Sequence, residues 1–394
     1  MDPRPLALAA LVGASRATLA QAPAAEQPII TWLDVAYPKL FYTIQDGLTA
    51  GGYFAFISPF GFADYDRPPA YRASFALNGQ VSTSGSREIL LEARLPAWFD
   101  GWRLVGTLAA QRRARENYYG IGNRTVIENG KVNGQQPHYY QSLNVRLLAR
   151  AEVQRRVAGR LRVLAGFHAE RWRIDTLPGP SQLRTDLALA ADSTIGRATT
   201  EVAVRAGLVF DSRDNEVAPR QGALIEALYA DARASWGSDV TYTRTTVSAA
   251  GYLSIGPQVV IAARAVGEGM GGTPRLGSFY RIEASDRFYE ALGGPASHRA
   301  LEEHRLLVRN KLFANLDLRY DAYAIPTLAR LTLVGFLDAG RVFEPERFRL
   351  TAADLKLGGG GGLFAQIGRA GILGSTLGVG PDGMVWQVHT KWTY

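Results

Sequence analysis

The chain has 394 residues, 44 Lys and Arg against 36 Asp and Glu, and no cysteine. Without cysteine there are no disulfides, thiolate metal sites or cysteine nucleophiles. A formal charge of +8 suits nucleic acid, an anionic membrane surface or arginine used internally. Arginine recurs evenly from Arg67 to Arg369 instead of gathering in one stripe, so no nucleic-acid partner is expected.

The first residues carry a short apolar core, Leu6 to Ala14, followed by Ala20-Gln21-Ala22. This pattern predicts a signal peptide over residues 1–22. Residues 23–33 then form a short lead-in, and residues 34–394 a single domain. No run of about eighteen apolar residues occurs, so no membrane-crossing helix is expected.

From residue 34 onward the dominant signal is alternation with a period of two. In residues 140–156, Leu143, Val145, Leu147, Ala149, Ala151 and Val153 oppose Asn144, Arg146, Arg150, Glu152 and Gln154, with Leu148 the exception. Leu312, Ala314, Leu316, Leu318 and Tyr320 oppose Lys311, Asn315, Asp317, Arg319 and Asp321 in the same way. Such segments are strands with one apolar and one polar face. They are predicted at about 48–57, 71–83, 86–95, 102–117, 140–156, 159–174, 199–211, 221–232, 240–254, 258–268, 306–321, 329–343, 357–367, 371–379 and 384–394. Residues 34–44, turning at Gln45-Asp46-Gly47, supply a sixteenth.

Short connections fall near Pro96, Ala158, Pro219 and Pro257, and long polar ones at 119–138, 175–197 and 270–304. Short turns at one end and long loops at the other are the pattern of an outer-membrane barrel. The predicted fold is all-β: a transmembrane antiparallel β-barrel of about 16 strands with a long inward-folding loop. A barrel of that size leaves a lumen, so the apolar face should meet lipid and the arginine-rich face water. In the closing "VWQVHTKWTY", Trp386, Val388, Thr390, Trp392 and Tyr394 share one face, as an interfacial aromatic girdle would require.

Little in the chain suggests reaction chemistry. The run Gly358–Gly362 is not followed by the Lys-Ser/Thr of a phosphate-binding loop; its glycines are read as permitting a bend or a close approach. His298 and His304 flank Glu302 and Glu303, but no third partner stands at zinc-like spacing. A solvated loop is expected there, with no metal and no cofactor. No nucleophile elbow is present, and no enzymatic activity is expected. Arg112, Arg113, Arg115 and Arg124 near the long loops either meet lipid phosphates or are simply solvated.

Several stretches together resemble the BamA/TamA-type outer-membrane assembly factors, also called bacterial surface antigens. They are "DGLTAGGYFAFI" (46–57), "NYYGIGN" (117–123), "FDSRDNEVAPRQG" (210–222), "LGGPASHRALEEHRLL" (292–307) and "GFLDAGRVF" (335–343). The resemblance implies a turn built on Asp211, Arg213, Asp214 and Gly222. It also implies a loop, 271–305, folded into the lumen, with Arg299 locked on Asp338. Trp386, Val388, Trp392 and Tyr394 correspond to a C-terminal sorting strand. Ala300 and Leu301 stand where the family's signature has Gly and Phe. No room is seen between Ala22 and the first strand for the family's polypeptide-transport-associated (POTRA) modules.

The function implied is assembly or translocation of protein or lipid at the outer membrane, through a weak seam between the first strand and residues 384–394. The alternative is a passive channel or structural barrel. Expected partners are outer-membrane lipid, lipopolysaccharide included, and client outer-membrane proteins or a periplasmic protein.

Overall fold

The computed structural model describes residues 32–43, 45–61, 67–190, 195–285, 289–325, 328–343, 348–349 and 351–394. The predicted signal peptide and most of the lead-in lie outside the described residues.

The wall opens with β1 (Leu33–Thr43), β2 (Gly47–Ser58), β3 (Ala73–Ser82), β4 (Arg87–Leu95) and β5 (Trp102–Asn117). It continues with β6 (Gln141–Ala158), β7 (Leu161–Thr176), the helix α1 (Gln182–Ala190), β8 (Thr199–Asp211) and β9 (Gly222–Ala232). After β10 (Thr241–Ile255) and β11 (Val259–Thr273), the chain leaves the wall through α2 (Leu276–Phe279), β12 (Arg281–Ile282) and β13 (Tyr289–Glu290). It returns as β14 (Asn310–Ile325), β15 (Ala329–Phe343), β16 (Lys356–Ile367), β17 (Gly371–Gly380) and β18 (Gly383–His389).

Sixteen strands form one antiparallel sheet in sequence order, while β12 and β13 pair separately as a two-stranded ribbon. Among the described residues β1 pairs only with β2 and β18 only with β17, so the sheet keeps two edges.

The alternation explains the two faces. Phe54 and Phe56 of β2, Ile89 and Leu91 of β4, Val247 and Leu253 of β10, and Leu333 and Leu337 of β15 are all exposed on the outside. Polar residues at the alternate strand positions, such as Arg150, Glu152, Glu201, Arg244, Glu268, Lys311 and Asp317, are buried on the inside. A water-soluble protein buries the first set and exposes the second. This inversion suits a sheet whose outer face meets hydrocarbon.

The long loops 118–140, 177–198 and 274–309 lie at one end of the sheet, and the turns at 159–160 and 256–258 at the other. The loop of residues 274–309 runs back into the curled sheet, and every sheet strand from β5 onward has contacts to it, described below. The polar inner face is therefore not simply a wetted lining.

One expected element ends early. β18 stops at His389, and Trp392 and Tyr394 are 7% and 3% exposed. They belong to no outward-facing strand and turn inside. Tyr394 donates from its hydroxyl to the Ala262 carbonyl at 2.9 Å, and Trp392 stacks on Phe364 with centroids 4.3 Å apart. The Arg319 guanidinium lies 4.3 Å from the Trp392 ring and 5.3 Å from that of Tyr394. Guanidinium groups on the inner wall offer these rings a better partner than an eleventh strand residue would have. Trp386 and Val388 do face outward, about half exposed.

Candidate functional site: the loop inside the sheet

The loop reverses at Gly293 and Gly294, with φ of +110° and +105°. A Cβ on Gly293 would stand 2.2 Å from the Glu302 carbonyl oxygen, so only glycine fits the return. The tip closes on itself through Leu306 N–H to Leu292 O (3.0 Å) and Ser297 Oγ to Ala291 O (2.9 Å). Beneath it, Ile282, Leu292, Leu301, Leu306 and Val308 pack with Val266, Phe313 and Val342 of the wall. The loop thus carries its own apolar core and has a fixed shape.

Arg299 is fully buried. Its Nη2 donates to Asp338 Oδ1 at 2.6 Å, its Nε to Asp338 Oδ2 at 3.0 Å, and its backbone N–H to the same oxygen at 2.7 Å. Nη2 also lies 2.7 Å from Asp317, which in turn pairs with Arg319 at 3.0 Å. Asn315 donates to Asp338 at 2.8 Å and to the Ser297 carbonyl at 2.6 Å. The guanidinium carbon sits 4.1 Å from the Phe336 ring. Burial opposes the charge on Arg299, but Asp317 and Asp338 outweigh it and raise its pKa. Sequence reasoning missed Asp317. It shares the inner face of β14 with Asn315 and Arg319, and that parity was its only signal.

Ala300 and Leu301 are 0% and 1% exposed. Among the described residues only His304 and Asp354 are non-glycine positions with positive φ, so Ala300 needs no glycine-like backbone. The facing wall accommodates it instead. A Cβ on Gly358 or on Gly378 would come within 2.4 Å or 2.9 Å of the Ala300 Cβ. Gln387 of β18 donates to the Leu301 carbonyl at 3.1 Å.

The expected solvated histidine loop is a correction: His298 and His304 are 0% and 2% exposed, because the loop is inside. His298 Nε2 meets the Lys356 carbonyl at 2.9 Å. His304, at φ +59°, meets Glu116 through Nδ1 at 2.7 Å and Glu290 through Nε2 at 2.8 Å. Burial works against its charge, but Glu116 and Glu290 hold it up to about 10. Burial pushes Glu303 up to about 7, against the pull of His304 and Arg113. Glu290, Glu303 and His304 stand close enough to ligate an ion. An imidazolium bonded at both nitrogens, however, has no lone pair for a metal. Arg113 turns inward to Glu290 at 3.1 Å, so it is withdrawn from the lipid-facing arginines, whereas Arg124 is exposed in its loop.

A second set of anchors had no sequence signal beyond alternation. Arg281 of β12 reaches Glu170 at 2.7 Å, Glu201 at 2.8 Å and His168 at 2.9 Å. Glu283 pairs with Arg205 at 2.6 Å, and Arg150 and Arg205 both donate to the Ala284 carbonyl. Arg244 donates to the Ser278 carbonyl, Glu226 accepts from Ser285, and Glu268 accepts the Glu283 N–H. Such buried pairs add little net stability, but they fix where the loop sits.

At the short-turn end, Arg213 donates to both oxygens of Asp211 at 3.0 and 2.9 Å. Asp214 accepts the N–H groups of Arg220 and Gln221. Gly222, at φ +95°, lies where a Cβ would come within 2.2 Å of the Ser212 carbonyl oxygen. These four residues build one turn.

Residues 73–368 match the Omp85 superfamily domain. The chain belongs to the Omp85 superfamily. Omp85 proteins are non-catalytic transport and assembly factors, and this one resides in the bacterial outer membrane. Among solved structures it is similar to CdiB from Escherichia coli, with TM-score 0.57 and 14% identity over 97% of this chain and 67% of that one. BamA from Haemophilus ducreyi lacking POTRA domains 1–3 gives TM-score 0.53 and 12% identity over 90% and 70% of the two chains. CdiB from Acinetobacter baumannii gives TM-score 0.50 and 12% identity over 96% and 65%. At these identities the likeness is one of fold. No curated protein matches the chain.

Proposed function

We propose that this Omp85 chain closes into a sixteen-stranded transmembrane barrel and assists insertion or translocation of protein or lipid at the outer membrane. In this reading the Arg299–Asp338 pair, with Asp317, locks the loop inside while β1 and β18 meet at a weak seam. The observation that carries it is the state of the two sheet edges. β18 is only seven residues long against eleven for β1, so at least four residues of β1 would lack a partner. β1 also contains Pro38, a residue tolerated in a strand chiefly at an edge because it lacks an N–H. An under-paired edge is a template for an incoming strand. The clients would be other outer-membrane proteins or lipids, with a periplasmic protein as a further partner.

The test is depletion of the protein in its own cell, followed by quantification of other outer-membrane proteins and lipids. Selective loss of some of them is expected. Unchanged levels of all, together with a large steady conductance of the purified protein in a planar bilayer, would establish the passive channel instead.

A further inference from the structure

Four strands present an unusual charge arrangement on their outer face. Arg87 of β4 stands directly opposite Arg112 of β5, which is opposite Val145 of β6, which is opposite Arg173 of β7. The side chains of Arg87 and Arg173 are exposed, and like charges directly opposite across paired strands are destabilising. Arg112 donates to the Gly85 carbonyl at 2.5 Å. Arg87, Arg171 and Arg173 form no hydrogen bond or ion pair with a described residue. Asp175, two residues beyond Arg173, accepts the Thr176 N–H at 2.9 Å and forms no ion pair with Arg173. This row lies at the long-loop end, which faces the cell exterior in outer-membrane barrels.

Directly below it the wall is indented. The next row toward the membrane runs Ile89, Ala110, Leu147, Arg171, and the row after it Leu91, Leu108, Ala149, Ala169. The three alanines leave a groove of about 410 Å3 between the leucine and isoleucine side chains, with Arg171 and Thr200 at its margin.

We propose that this face binds one phosphorylated lipid of the outer leaflet, with an acyl chain in the alanine groove and its phosphate between Arg87, Arg112, Arg171 and Arg173. The charge row calls for a polyanion. The groove calls for hydrocarbon attached to it. Guanidinium forks match phosphate oxygens in pairs, and an anion there relieves the Arg87–Arg112 repulsion.

The experiment uses the full chain in discs of zwitterionic phosphatidylcholine and measures binding of bisphosphorylated lipid A, with its dephosphorylated form and inorganic phosphate as separate arms. Tight binding of the phosphorylated lipid alone is expected. Arg87→Gln/Arg112→Gln/Arg173→Gln, and separately Ala149→Trp, should each weaken it by at least about tenfold. Heat-modifiable gel migration checks that both variants fold. Equal binding of the dephosphorylated lipid, or displacement of lipid by inorganic phosphate alone, would overturn the proposal. So would full affinity in either folded variant. The comparison of lipids on the wild-type chain decides the matter even if a variant fails to fold.

Discussion

Replacing Arg299 by alanine removes a guanidinium shared by two carboxylates, Asp338 at 2.6 Å and Asp317 at 2.7 Å, both 2% exposed or less. The four charges Arg299, Arg319, Asp317 and Asp338 balance, and the variant leaves them one negative charge in excess. Breaking a buried pair on one side costs about 3–5 kcal/mol. Asp338→Asn should cost less, about 1–3 kcal/mol, because Arg299 keeps Asp317. The charge swap Arg299→Asp/Asp338→Arg should restore only part of the loss, since the new carboxylate at 299 faces Asp317. The assay is urea unfolding in detergent or bilayers, followed by tryptophan fluorescence and heat-modifiable migration. A loss below about 1 kcal/mol for Arg299→Ala, within the range of an exposed ion pair, would refute the reasoning. A larger loss for Asp338→Asn would refute it too.

Three further outcomes follow from the same geometry. Gly378→Val should force Ala300 away, since a Cβ there stands 2.9 Å from that of Ala300. The expected cost is about 1–3 kcal/mol, with faster protease cleavage within residues 274–309. Trp392→Ala removes a ring stacked between Phe364 and Arg319 and should cost about 3–5 kcal/mol in the same unfolding assay. His304 is held up to about 10 from an ordinary 6.5, so its contribution is complete below pH 6.5 and lost as pH rises toward 10. Glu303, raised to about 7 from 4.5, adds an earlier fall between those values, softened because its side chain is 37% exposed. Unfolding midpoints against pH should show both steps, and His304→Gln should remove the upper one.

The wall was legible because a strand with lipid on one side and polar groups on the other must alternate. The pattern placed β5 over Trp102–Asn117 within a residue, and it placed β1 as well. It failed at the C-terminus because parity does not show where pairing stops. Trp392 and Tyr394 keep the right parity, yet they are drawn inside by Arg319 and Ala262. The loop's interior was beyond reach for a different reason. Arg281, Glu201 and His168 are far apart in the chain, and nothing local marks them as neighbours. Arg299 and Asp338 were picked out only through family resemblance, and the same resemblance carried no hint of Asp317. The glycine missing from the loop tip has its physical counterpart across the interface, at Gly358 and Gly378.

The most direct test uses the absence of cysteine in the chain. Single cysteines scanned over Leu33–Thr43 and Gly383–His389 give pairs that an oxidant can join across the proposed seam, and each is tested for complementation in depleted cells. The account predicts that some pair crosslinks, that the crosslinked protein fails to restore outer-membrane composition, and that a reductant recovers it. Full restoration by a protein whose seam is covalently closed would contradict it.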